Sequence, residues 1–181
     1  MTLLPELLRR NVAFAASRPV TAAQMPGDLA YVVCCLDPRV EPGALLGVGL
    51  NDAIVARNPG GRVTDELIAD VSLISFMGEF MGLAVSGSLE VAVVHHSQCG
   101  MGLLAVPEFA SAYAARAGVT EEQVAARAVT DPEATVRADV ERLLAATTLS
   151  PAVRVTGHVL DLDTGLIRTV VAARPGLQVT A

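Results

Sequence analysis

Apolar residues along the chain switch between helical and strand-like spacing. From Met1 to Ala16, Leu3, Leu4, Leu7, Leu8, Val12 and Phe14 recur at helical intervals with Glu6, Arg9 and Arg10 between them, which predicts an amphipathic helix. Leu29 to Cys35 is a short Val-rich run bounded by Pro26-Gly27 and Pro38, the mark of a buried strand. Ala53 to Ala56 predicts a second strand, left through Asn58-Pro-Gly-Gly61. Thr64 then offers an N-cap, with Asp65 and Glu66 in the first turn of a helix running through Leu67, Val71, Ile74 and Phe76. Leu89 to His95 is a third strand. Asp131-Pro132-Glu133 starts another helix, with Asp at the cap and Pro at the first helical position, and Val136, Val140, Leu143 and Leu144 mark its buried stripe. Val153 to Leu160 and Leu166 to Ala172 flank Asp161-Leu-Asp-Thr-Gly165, a strand, turn and strand. Alternating strands and helices predict an α/β fold: one domain over 1–181, with flanking helices around a mostly parallel sheet that ends in an antiparallel edge strand.

Composition narrows this picture. At 181 residues the chain suits one domain. Hydrophobic residues make up 52%, charged residues 18%, and the mean hydropathy is +0.49. Such an apolar chain implies a buried parallel sheet, a large subunit interface, or both. With two Tyr, four Phe and no Trp, aliphatic side chains must fill the core. A net charge of -6 and a pI near 5.0 argue against nucleic acid or an anionic membrane as partner. The most apolar stretch, Leu67 to Val94, is broken by Asp70, Glu79 and Glu90, so no membrane span is expected. Nothing at the N-terminus reads as an export signal. Three cysteines then predict a cytoplasmic protein with metal or thiol chemistry.

That chemistry has an address. Cys35 closes the first strand, and His96 and Cys99 follow the third. Parallel sheets gather ligands at the carboxyl ends of their strands, so the three converge. Two thiolates and an imidazole suit zinc, and three protein ligands leave a fourth position for water or substrate. Asp37 and Arg39 leave the first strand beside Cys35. A carboxylate kept ionised by a guanidinium accepts a hydrogen bond from water activated on the metal and orients it. The blander reading is a buried thiol pair with a core histidine; the missing fourth ligand and the adjacent Asp37–Arg39 pair favour catalysis. Cys34 and His95 alternate to the opposite face and read as structural. His158 reads as a surface or interface residue. Gly47-Val-Gly49 lacks the third glycine of a nucleotide loop. Backbone N–H groups at Gly100 and Gly102 offer a place for an anionic product. Gly82, Gly87 and the nearby Met residues read as close packing.

Cys35-Leu-Asp-Pro-Arg39 resembles the Cys-x-Asp-x-Arg element of β-class carbonic anhydrases, and His96-Ser-Gln-Cys99-Gly100 resembles their His-x-x-Cys-Gly element. Asp52 to Gly61 and Val155 to Gly165 are similar to two further segments, so the resemblance covers about Val32 to Gly165 in order. It implies one Zn2+ per chain on Cys35, His96 and Cys99, with Asp37 and Arg39 as the catalytic dyad and Gly100 beside the product. The implied reaction is the reversible hydration of carbon dioxide to bicarbonate and a proton. The implied working unit is a homodimer or tetramer in which an N-terminal helical arm (1–25) packs on a partner subunit. Relatives with the same zinc site hydrolyse carbonyl sulfide or carbon disulfide, which is one alternative; a non-catalytic zinc protein is another. Pro38 and Pro59 depart from the family's usual Ser or Ala and Ala. A subgroup regulated by bicarbonate uses a Trp, and this chain has none.

Overall fold

The computed structural model describes residues 3–17, 29–82 and 89–176. Helix α1 (Leu3–Ser17) precedes strand β1 (Leu29–Cys35), the short helix α2 (Pro42–Leu45) and strand β2 (Ala53–Asn58). A 3-10 turn (Pro59–Gly61) leads into helix α3 (Asp65–Phe80), followed by strand β3 (Leu89–His96) and a second 3-10 turn (Gly100–Ala105). Helices α4 (Pro107–Ala117), α5 (Glu121–Ala125) and α6 (Pro132–Leu144) then lead to strands β4 (Arg154–Leu160) and β5 (Ile167–Pro175). The five strands form one sheet in the order β2-β1-β3-β4-β5, parallel except for β5.

The expected caps form. Thr64 accepts from the Leu67 N–H, and Asp131 accepts from both Glu133 and Ala134, with Pro132 directly behind it. Each satisfies N–H groups that a helix start otherwise leaves orphaned. Alternation along the strands then divides the core. Val33, Val91, Val93 and Val155 face α3 and α6, and Val136, Val140 and Leu143 on α6 are fully buried against them. Val32, Cys34, Val94 and Leu160 build a smaller cluster on the other face. Cys34 is thus the small buried hydrophobe its position predicts, and burial pushes its thiol up to about 11.

Two expectations change. Met77 and Met81 are exposed rather than packed, and Gly82 has open space where a Cβ would stand. Gly82 ends α3 in a left-handed conformation (φ +70°), so its glycine serves the backbone, not close packing. Gly87 lies outside the described residues. The arm expected over 1–25 is described over 3–17 as α1, where Leu4, Leu7, Leu8, Val12 and Phe14 are all exposed. Among the described residues no helix is long and apolar enough to cross a membrane.

Candidate metal centre

The register of the sheet builds the centre. Cys34 pairs with Val94 across β1 and β3, so the carboxyl ends of these central strands lie side by side. Cys35 ends β1 and His96 ends β3, both buried. The chain then turns through Ser97 and Gln98, whose left-handed φ of +54° swings Cys99 back toward β1. The ligand atoms of Cys35, His96 and Cys99 all lie within 4.8 Å of one another, with the two sulfurs 4.0 Å apart.

The donor set fits a metal ion. His96 Nδ1 lies 2.8 Å from the Ser97 carbonyl, which can only accept, so that nitrogen carries the proton and Nε2 keeps its lone pair. This Nε2 is buried and has no hydrogen-bond partner among the described residues. A buried lone pair beside two thiols is costly unless a cation takes it. The sulfurs are prepared as well. The Cys99 thiol donates to Cys35 and, with the N–H groups of Asp37 and Gly60 at 3.4 and 3.3 Å, holds it well below the usual thiol range. The same shared proton pushes Cys99 up.

Asp37 stands outside the ligand set because Arg39 holds it. Arg39 reaches its two oxygens through Nε at 3.0 Å and a terminal nitrogen at 2.7 Å, and the Arg39 N–H adds a third bond at 2.9 Å. This guanidinium holds the Asp37 carboxyl down at about 2, so it is an anion throughout the physiological range. Arg39 also donates to the Gln98 carbonyl at 3.1 Å, tying the dyad to the loop between His96 and Cys99. Pro38 fits without loss. The Val40 N–H closes a turn on the Asp37 carbonyl at 2.9 Å, and position two of such a turn favours proline and needs no donor. Pro59 likewise begins its 3-10 turn, where a missing N–H costs nothing. Arg57 braces the same segment, donating to the carbonyls of Cys35 and Asp37 and pairing with Glu41.

The remaining residues fall elsewhere. His95 is fully buried on the opposite side from His96, with Nε2 against the Gly61 carbonyl and the Asp139 carboxylate. His158 is half-buried between the hydroxyls of Thr156 and Thr169, and burial pushes its pKa down. Gly100 opens the six-residue turn after Cys99, with open space on its Cα. Asp139 and Arg62 escaped the sequence reading. One signal was available: Asp139 lies on the apolar stripe of α6 between Val136 and Leu143, where a charge implies a buried partner.

No family model matches the sequence. The chain is similar to β-carbonic anhydrase 1 of Mycobacterium tuberculosis, 25% identical over 170 residues that cover 94% of this chain and 99% of that protein. It is similar to carbon disulfide hydrolase of an Acidianus strain, 39% identical over 71 residues, which are 39% of this chain and 31% of that protein. Among solved structures, carbonic anhydrase from Streptococcus mutans matches with a TM-score of 0.73 and 28% identity, over 94% of this chain and 98% of that one. Similarity along nearly the whole of both chains, a shared fold and the Cys-His-Cys set at the sheet's carboxyl edge all liken this chain to the β-class carbonic anhydrases.

Proposed function

We propose that the protein hydrates carbon dioxide reversibly to bicarbonate and a proton, using one Zn2+ per chain held by Cys35, His96 and Cys99. The observation that carries this reading is the buried, unpartnered Nε2 of His96 beside two thiols, with Asp37 kept out of the ligand set by Arg39. Zinc, when bound there, supplies the Lewis acidity that activates water toward the carbon of carbon dioxide. The two thiolates offset much of the metal's charge, so an acceptor that orients the water gains importance. Asp37 fills that role as a fixed anion, aligned by Arg39 and unable to take the proton for itself near neutral pH. The N–H groups of Asp37 and Gly60 stabilise the Cys35 thiolate in its charged form. Gly100 leaves open space beside Cys99 for the product to depart.

Stopped-flow assay of carbon dioxide hydration on protein of measured zinc content tests the reading. Cys99→Ala is expected to lose both bound zinc and hydration; a zinc-free variant with full activity would overturn it. The similarity to a carbon disulfide hydrolase supports a second reading, hydrolysis of carbon disulfide or carbonyl sulfide at the same residues. Measuring sulfide release beside bicarbonate formation on one preparation separates the two.

The assembly belongs to the same reading. The exposed apolar residues of α1 support a homodimer or tetramer in which this arm packs on a partner subunit. Removing residues 1–25 should lower the mass in light scattering to that of a monomer. A truncated chain that kept the full-length assembly would exclude the arm as its cause.

A further inference from the structure

The carboxylate of Asp139, buried on α6, is approached by four groups. Arg62 reaches it through Nε at 2.8 Å and a terminal nitrogen at 3.1 Å, the Val63 N–H at 3.1 Å, and His95 Nε2 at 3.3 Å. His95 Nε2 also lies 3.2 Å from the Gly61 carbonyl. Both neighbours of that nitrogen are acceptors, so it carries a proton shared between them. Gly61, Arg62 and Val63, consecutive in the chain, are thereby fastened from inside to α6 and β3.

Immediately before them stands Gly60, whose N–H donates to the Cys35 sulfur at 3.3 Å. The turn holding it has little freedom. Gly60 and Gly61 both adopt left-handed backbone, with φ of +84° and +67°, and a Cβ on Gly61 would come within 2.9 Å of the Cys34 carbonyl carbon. Asn58 clasps the far side, accepting from the Arg62 N–H and donating to the Arg62 carbonyl, each at 2.7 Å. Arg62 adds bonds to the carbonyls of Ala126 and Ala128. The turn is pressed against β1 with one N–H aimed at a ligand sulfur.

We infer that Asp139, Arg62 and His95 are positioning residues for the metal centre: they hold the Pro59–Gly61 turn so that the Gly60 N–H stays on the Cys35 thiolate. The inference rests on the metal reading of the site. Thiolate donors are tuned by the groups that hydrogen-bond them, and loss of such outer partners typically weakens metal binding about 10- to 100-fold. A thiolate relieved of its N–H donor holds its electrons less tightly, which moves sulfur-to-metal charge transfer to longer wavelength.

Cobalt(II)-loaded full-length protein gives a readout independent of turnover. Asp139→Asn and Arg62→Lys are expected to shift the thiolate-to-cobalt band to longer wavelength and to release cobalt to a chelator on the order of tenfold faster. Far-UV circular dichroism at the same temperature establishes that each variant is folded; if Asp139→Asn is not, Arg62→Lys decides. Val140→Ala, which empties core space on the same helix without touching the turn, should lower Tm and leave band and release unchanged. Folded Asp139→Asn or Arg62→Lys with wild-type band and release overturns the inference, as does Val140→Ala shifting them equally. Wild-type protein that takes up no cobalt overturns the metal reading itself, and this inference with it.

Discussion

Arg39 grips Asp37 through Nε and a terminal nitrogen at 3.0 and 2.7 Å, and Arg62 grips Asp139 through the same kinds of nitrogen at 2.8 and 3.1 Å. The first pair is two residues apart in sequence, with the side chains 50% and 14% exposed; the second spans 77 residues, with 16% and 2%. Solvent makes one bond into two devices. Water screens the outer pair, which contributes little to stability and leaves its carboxylate able to meet a ligand. The inner pair has given up its hydration, so each charge depends on the other and on Val63 and His95. Geometry alone would not separate them.

Removing one partner from each pair tests this contrast. Asp139→Ala leaves the Arg62 guanidinium without its carboxylate in a largely buried place and should cost about 3–5 kcal/mol, read from urea unfolding. A loss below about 1 kcal/mol would place the two pairs in one class. Asp37→Asn should change stability by less than about 1 kcal/mol. The same variant should slow carbon dioxide hydration by about a hundredfold, roughly 2.7 kcal/mol of barrier. Equal effects of the two variants on stability would erase the distinction.

Acid titration gives the smallest effect. Arg39 holds Asp37 down to about 2, and the bonds from His95 and Arg62 outweigh burial to leave Asp139 lowered as well. A depressed carboxyl favours the folded state fully above its unfolded value near 3.8, and this contribution disappears as pH falls through the folded value. Urea midpoints should therefore decline below about pH 4. Asp139→Asn should flatten that decline clearly and Asp37→Asn only slightly, because water screens the outer pair. A steeper change from Asp37→Asn would reverse the assignment.

The two pairs also mark how much the sequence made legible. Asp37 and Arg39 sit in one short motif beside Cys35, and Cys35 and His96 end Val-rich runs whose strand character is plain. Position at or just after the ends of parallel strands was enough to bring Cys35, His96 and Cys99 together. The Asp139–Arg62 pair depends on how α6 lies across β3 and β4, a packing angle that no local spacing encodes. Helices α2 and α5 span only four and five residues, too few to display a hydrophobic period, whereas the eleven-residue α4 carries Pro107 at its start and Gly118 just past its end, a signal the sequence reading did not use. Phe76 shows the opposite failure. It continues the helical pattern of α3 but is exposed, because a helix apolar on several sides does not announce which side faces its own core.

The central placement of β1 and β3 has a consequence for how the protein is made. Cys35 and Cys99 are 64 residues apart, and the strands that bring them together pair only after both have left the ribosome. At about 5–20 residues per second, a nascent chain carries Cys34 and Cys35 as neighbouring free thiols for roughly 3–13 s before Cys99 is even synthesised. On the proposed metal reading, loading is therefore a late event of biosynthesis. Oxidant during that interval acts on a chain whose Cys-His-Cys set has not yet come together.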